Sequence, residues 1–554
     1  MDTTKKVLAL ALRPVAAAMA LLVAGGASAV QIGTENSDLS LRWDNTVKLS
    51  GAYRLHSADA ALLANPNNDD GDRNFGKGVI SSRVDLFTEF DAVYQKRFGL
   101  RLSGAAYYDD VYNKANNNPG FPGGAFPNQT SVAFNQFPTG TRDLHGRKAE
   151  LLDAFLFAKF DLGEMQGSVR AGRHAILWGE SLFFGGNAIS GGQQPVDIVK
   201  LSSVPNTQFK EAILPVPQVS GQLQLNSNVS LGVYVQTSFE TSKVPGVGSY
   251  FSNADPAVAG GENLILAPGA PLAQRQADLK PKNSGQSGLQ LKLRGDEADY
   301  GVYALRFHSK TPQLVPLIGM SPVGPIPSGY YMAYHEGVSA FGASVSKTFA
   351  NFNVAVEASV HRNQDLASTQ GADVSAFTPA PQTNLSDNPG YAVGNTAHIN
   401  VSTLGSLGPT ALWREANLAA EIAWNRVLSV TKNGAAKDTN ATRDGVAVRM
   451  LLEPVYRGVF DGVDIGVPIG VGYAPNGARP LAMSSPNAWI AEGGGDVSIG
   501  LNASINDAWR ATFTYTHYYG TAGSFNDLAA NNAYSWKQTL KDRDFLALSL
   551  RYSF

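Results

Sequence analysis

Apolar and polar residues alternate with a period of two along most of this chain, in runs of about ten residues separated by polar, turn-rich stretches. The final run is the cleanest. Leu546, Leu548, Leu550, Tyr552 and Phe554 share one parity, while Ala547, Ser549, Arg551 and Ser553 hold the other. Successive side chains of a strand point to opposite faces, so this pattern predicts a strand with one apolar face and one small or polar face. Eighteen such segments can be placed: 39–55, 80–94, 98–108, 150–160, 168–176, 219–225, 229–240, 290–294, 300–309, 339–348, 352–361, 398–406, 416–427, 446–453, 463–473, 497–505, 509–519 and 544–554. Short turns such as 95–97, 226–228, 295–299 and 506–508 alternate with loops of about 15–45 residues. The pattern is poorest at 398–406, and dropping it with one other segment would leave sixteen.

Alternating short and long connections are the mark of a bacterial transmembrane barrel, with short periplasmic turns and long extracellular loops. An even strand number returns the terminal Phe554 to the side on which the first strand began. Lipid offers no partner to an unpaired sheet edge, so strands in a membrane must close on themselves. The expected fold is therefore all-β, a transmembrane antiparallel barrel of about eighteen strands. In the second and third segments Val84, Leu86, Phe90, Tyr94, Leu100, Leu102 and Tyr108 would face lipid. Arg83, Asp85, Glu89, Asp91, Arg101 and Ser103 would face the lumen. Further along, the same face carries Asp153, Lys159, Arg170, His174, Lys292, Arg294, Arg306, His308, Glu357, His361, Glu421, Arg449, Glu453, Arg510 and Arg551. A lumen with both signs of charge suits a water-filled path that orients polar solutes, although ion pairs that merely stiffen the wall would read the same way.

Composition agrees. The 554 residues are 44% apolar and only 16% charged, against about 25% charged in ordinary soluble domains. Mean hydropathy is nevertheless slightly negative, far from that of a helical membrane protein. A formal charge of −2 gives no reason to expect nucleic acid as partner, and without cysteine there are neither disulfides nor thiolate metal sites. The N-terminus has the form of an export leader: Lys5 and Lys6, an apolar run over 7–23 broken at Arg13 and Pro14, then Ala27-Ser28-Ala29 as an A-x-A cleavage site. Residues 1–29 would be removed after Sec export, leaving 30–554 as one barrel in the outer membrane of a Gram-negative bacterium. The closing Leu550, Tyr552 and Phe554 resemble the signal read by barrel-assembly machinery.

Catalytic chemistry finds no foothold. G-x-S-x-G, H-E-x-x-H and P-loop patterns are absent, and no enzyme activity or cofactor is expected. His517 lies beside Tyr515 and Tyr519 on the lipid face, where an interfacial aromatic girdle accounts for it. Asp69, Asp70 and Asp72 offer carboxylates that a Ca²⁺ ion could use, although an Asn/Asp/Gly turn is the more ordinary reading. Only about ten residues separate Val30 from the first strand, too few for the plug of an energised transporter.

The third long loop stands apart. It begins A-G-R-H-A-I-L-W-G-E-S-L-F-F-G-G (171–186), continues through Q-P-V-D-I-V-K-L (194–201) and ends F-K-E-A-I-L-P-V-P (209–217). Ile176, Leu177, Trp178, Leu182, Phe183, Phe184, Ile189, Val196 and Ile198 are too apolar for open solvent. The segment is expected to fold into the barrel mouth as a constriction shaped by Arg173, Trp178, Glu180 and Ser181, with Trp178, Phe183 and Phe184 giving apolar contacts. A purely structural latch is the competing reading of the same cluster.

These strings, together with N-F-G-K-G-V-I-S-S-R (74–83), A-E-L-L-D-A-F (149–155) and V-P-I-G-V-G-Y (467–473), resemble a large proteobacterial family of outer-membrane proteins known only as a domain of unknown function. The likeness spans nearly the whole mature chain. It implies handling of hydrophobic compounds such as steroids, terpenes and aromatics. It also implies association with periplasmic lipoprotein-like proteins and inner-membrane efflux-type pumps. The family brings no catalytic residues, and His174 stands where its pattern has Gln, so no role is carried to that position. The expected function is an outer-membrane channel, surrounded by lipid, for a small hydrophobic or amphipathic solute. A non-transporting interaction or assembly protein and an outer-membrane hydrolase are the alternatives.

Overall fold

The computed structural model describes residues 30–554 apart from Glu35, 205–208, Val258 and Val323; Ala27 and Ala29 of the expected leader lie outside the described residues. Eighteen antiparallel strands form the wall. They are β1 (Leu39–Arg54), β2 (Gly78–Tyr94), β3 (Phe98–Asp109), β4 (Arg147–Leu162), β5 (Met165–His174), β6 (Val216–Gln224), β7 (Val229–Gln236), β8 (Gln286–Arg294) and β9 (Asp299–Phe307). The second half is β10 (Val338–Phe349), β11 (Phe352–Asp365), β12 (Val393–Leu407), β13 (Glu415–Lys432), β14 (Asp444–Phe460), β15 (Val463–Gly466 continuing as Ile469–Ala474), β16 (Gly494–Ile505), β17 (Trp509–Tyr519) and β18 (Phe545–Ser553). Each pairs with its sequence neighbours, and β18 closes the barrel on β1 with Leu550 opposite Leu49. The segment expected at 398–406 is a full strand, which fixes the number at eighteen.

Local chemistry explains the connections. At the β2–β3 and β16–β17 turns, Gln95 and Lys96 and then Asn506 and Asp507 take left-handed conformations, the backbone of the two-residue hairpin whose twist matches the strands. β15 is interrupted at Val467-Pro468 because proline has no N–H for the ladder. A short strand, Val30–Ile32, pairs with Leu41–Trp43 of β1 and prolongs the seam beyond the end of β18. Phe554 completes that seam by exchanging backbone hydrogen bonds with Asn45 at 2.7 and 2.9 Å.

The two faces differ as the dyad pattern requires. Leu86, Leu102, Leu156, Phe341, Ile422 and Leu548 point outward and are exposed, as a lipid-facing band must be. The fold is a transmembrane β-barrel. Above it, the nine long loops pack on one another. One apolar cluster joins Phe184, Leu366, Leu481, Met483, Trp489 and Trp536 from four loops. Another joins Phe75, Tyr112, Phe137 and Tyr250 to Phe545 at the top of β18.

The structure also adds a small loop sheet that the pattern did not predict. Gln313–Ser321 and Gly324–Ala333, inside the loop after β9, form a hairpin whose second strand pairs with Ala273–Arg275 from the loop after β7, which in turn pairs with Asn263–Leu264. Its sequence, with four prolines and no alternation, reads as irregular loop, and only pairing between loops makes it a sheet.

Candidate functional site

The first part of the loop after β5, residues 175–190, runs inside the barrel to β11–β13, six to eight strands further round the wall. It leaves the wall at His174, whose Nε2 lies 2.7 Å from Ser220 Oγ on β6 and whose ring sits 5.4 Å from that of Phe155. Trp178 then packs in a buried cluster with Ile189, Tyr234, Tyr303 and Phe307, and its backbone N–H donates to Gln193 at 2.8 Å. This is where the apolar side chains of the loop go: against the inner wall rather than into water.

Two lumenal carboxylates hold the loop. Glu357 on β11 accepts from the backbone N–H of Glu180 at 2.7 Å and of Ile189 at 2.6 Å. Glu421 on β13 accepts from Ser181 Oγ at 2.8 Å and from the N–H groups of Leu182, Phe183 and Phe184 at 3.0, 2.5 and 2.9 Å. Asn400 Nδ2 adds a fifth donor to Glu421 at 2.7 Å. A buried charge is tolerable only when its lone pairs are filled in this way, and hydrogen bonds to an ionised acceptor are about twice as strong as neutral ones. The loop is shaped to reach the acids. Gly179 has φ +96°, and a Cβ there would stand 2.3 Å from Glu357 Oε2. Asn187 continues the anchor, donating to Asn400 Oδ1 at 3.0 Å and accepting from Asn425 Nδ2 at 3.0 Å.

The loop covers one side of the lumen only. Glu357 and Glu421 are 2% and 1% exposed. Across the barrel on β2 and β3, the side chains of Arg101 and Glu89 are 38% and 23% exposed. The water-accessible wall is the charged one. Arg101 makes a bidentate pair with Asp91 at 2.7 and 2.8 Å and reaches Glu89 at 3.4 Å. Arg83 holds Asp85 at 2.6 Å while its guanidinium lies over the Tyr107 ring, and Asp153 accepts from Ser103 Oγ at 2.9 Å. Arg510, Arg551 and Lys48 stand side by side in register on β17, β18 and β1, and Lys48 faces Asp85 at 3.6 Å. Arg170 is exposed, 5.7 Å from the Phe155 ring.

Between the tucked loop and the wall lies a cavity of about 390 Å³. Phe183 and Phe184 line one side with Met483 and Trp489 from the loop after β15, and Lys310, Gln364 and the Arg449–Asp496 pair supply polar groups. A larger hollow of about 500 Å³, lined by Leu100, Leu156 and Ala158, opens on the lipid-facing wall and is no part of this path.

Among residues singled out in the sequence, Trp178, Glu180, Ser181, Phe183 and Phe184 are brought together in the lumen. Arg173 is not with them. It has the outward register of Ala154 and pairs with Glu240 at the strand end. Asp72 separates from Asp69 and Asp70: Arg54 takes it at 3.0 Å and Arg543 at 2.8 Å. His517 does more than join a girdle, since its Nδ1 lies 2.6 Å from Asp544, which also accepts from Tyr515 at 3.2 Å. The pattern placed Glu357 and Glu421 in the lumen but could not single them out. Asn187, Asn400, Asn425, Met483 and Trp489 carried no signal at all.

A family model described as "Protein of unknown function (DUF1302)" matches residues 10–554. The chain belongs to that family. No curated protein matches this family member by sequence. Among solved structures, it is similar to OccAB3 of Acinetobacter baumannii (9% identity, TM-score 0.44, covering 93% of this chain and 99% of that one). The outer membrane channel DcaP of Acinetobacter baumannii gives 10% identity and a TM-score of 0.37, covering 95% and 100%. OccK2 (OpdF) of Pseudomonas aeruginosa in complex with glucuronate gives 8% identity and a TM-score of 0.37, covering 93% and 98%.

Proposed function

We propose that this protein is an outer-membrane channel that passes a small amphipathic or hydrophobic solute through a constriction made by the inward loop. One observation carries the reading. An apolar loop is tied across the lumen by two buried carboxylates, leaving a cavity lined by both aromatic and polar groups. A solute pocket needs an apolar lining with a few placed polar groups, and Phe183, Phe184 and Trp489 together with Lys310 and Gln364 meet that need. The open charged wall of β1–β4 gives water and ions a route past the loop, so the solute does not have to force a dry barrel.

The test is transport by the purified protein in liposomes, with and without residues 178–186. The full chain should admit a small amphipathic solute and conduct ions, and the deletion should raise conductance and abolish discrimination between solutes of equal size. Liposomes as tight with the protein as without it would sink the channel and favour a non-transporting interaction protein. Unchanged conductance and uptake in the deletion would sink the constriction.

A further inference from the structure

A second arrangement of charge lies outside the barrel mouth. There the loop after β1 (55–77) meets the loops after β7 (237–285) and β17 (520–544). Its centre is a balanced set: Arg54 and Arg543, both wholly buried, face Asp72 and Asp542 at 2.8–3.0 Å. Beside it the balance fails. Asp69 and Asp70 from the first loop meet Asp255 from the loop after β7, one oxygen of each lying within 4.8 Å of the others. The backbone holds them there. Asp255 N–H donates to Asn67 O at 2.8 Å, and Asp70 N–H donates to Asp255 Oδ2 at 3.2 Å. Arg73 is the cation that reaches the group, bonding Asp69 Oδ2 at 2.7 Å, so three carboxylates and one guanidinium leave a formal −2.

The second observation is independent of the clustering. Asp69 is 0% and Asp255 2% exposed, and Oδ1 of each is closed to solvent and receives no hydrogen bond among the described residues. A buried carboxylate oxygen without a donor is costly, and native proteins fill such positions. Asp70 is only partly satisfied, by Asn118 Nδ2 at 3.3 Å.

We infer that Asp69, Asp70 and Asp255 bind one divalent cation of the Ca²⁺ class, which ties the first extracellular loop to the fourth. The donors are all carboxylate oxygens, the set that hard cations prefer. They come from loops rather than a rigid frame, which suits the irregular coordination of Ca²⁺ better than the strict octahedron of Mg²⁺. The cation would supply the missing +2 and the missing partners for both Oδ1 atoms. This inference does not depend on the channel reading.

The test uses the full-length protein in detergent after chelator treatment, titrated calorimetrically with CaCl₂ and, separately, MgCl₂. One Ca²⁺ should bind per chain, more tightly than Mg²⁺, and should raise the unfolding temperature. Asp255→Asn and Asp69→Asn should each weaken Ca²⁺ binding at least tenfold while the barrel keeps its heat-modifiable gel mobility. Extracellular Ca²⁺ modules bind at about 0.1–1 mM, so silence up to about 10 mM overturns the site and leaves a protonated acid cluster. Ca²⁺ binding that is unchanged in both variants also overturns it, as does a preference for Mg²⁺. If one variant fails to fold, the other and the wild-type stoichiometry still decide.

Discussion

Replacing Glu421 with alanine removes the acceptor that holds the tip of the inward loop. Five donors converge on this carboxylate, three of them the consecutive backbone N–H groups of Leu182, Phe183 and Phe184. A hydrogen bond to a charged group contributes about 1.5–3 kcal/mol net, so the three backbone donors alone favour the tucked position by about 4.5–9 kcal/mol. In the variant, water entering the vacated space would satisfy some of these donors, and about 3 kcal/mol is a conservative remainder. At about 1.4 kcal/mol per tenfold, that shifts the loop equilibrium more than a hundredfold toward release. The release is local, because the Glu357 bonds to Glu180 and Ile189 and the Trp178 packing stay in place. The assay is single-channel conductance in planar bilayers, paired with limited proteolysis of the loop. Glu421→Ala should give larger or noisier openings and a new cut near residues 181–187. Glu421→Gln should fall between, since its amide keeps one accepting oxygen but turns a donor toward Ser181 or Asn400. A variant barrel with native gel mobility, wild-type conductance and a protected loop would refute the latch.

Other outcomes follow from the same geometry. Gly179→Ala should reproduce the release, because its Cβ meets Glu357 Oε2 at 2.3 Å and a left-handed alanine costs about 1–2 kcal/mol more; wild-type proteolysis would contradict this. Arg101→Ala leaves Glu89 and Asp91 unpaired on the open wall, so the reversal potential in a salt gradient should move toward cation selectivity, and no movement would place the ion path elsewhere. Lys310 is buried against Gln286 and the Phe239 ring, which pulls its ammonium down to about 7 from 10.5. Between those values the unfolded chain holds a proton that the folded one lacks. Stability should therefore rise with pH across that window, with the penalty fully present below it. Lys310→Met should flatten this rise in thermal unfolding against pH, and an unaltered slope would remove Lys310 as its source.

Much of the wall was legible because a barrel strand is read locally. Period two assigns each side chain to lipid or lumen without knowledge of its neighbours, and the turn at 506–508 announced its hairpin through Asn506-Asp507. Strand ends were less legible. β7 stops at Gln236 rather than 240, and β13 runs on to Lys432, because ends are set by where partner strands and loops stop pairing. β12 looked weak since its inward residues, Thr396, His398, Asn400 and Ser402, are polar but buried under the loop, a combination no one-residue pattern conveys. The hairpin at Gln313–Ser321 had no dyad signal because it lies clear of the membrane and faces other loops.

The candidate site divides along the same line. Sequence alone determined the barrel, most of its inward and outward faces (Arg173 and Arg306, expected inward, have the outward register), and the fact that an apolar loop had to be buried somewhere, since these follow from periodicity and from the free-energy cost of exposing Trp178, Phe183 and Phe184. Tertiary structure decided where that loop went and what holds it. Glu357 and Glu421 lie 168 to 240 residues from their partners in the loop, and only closure of the barrel brings them within hydrogen-bond reach of it. It also replaced Asp72 with Asp255 beside Asp69 and Asp70. Adjacent carboxylates are visible in a sequence; which of them face each other, and which face an arginine nearly five hundred residues away, depends on how the loops pack.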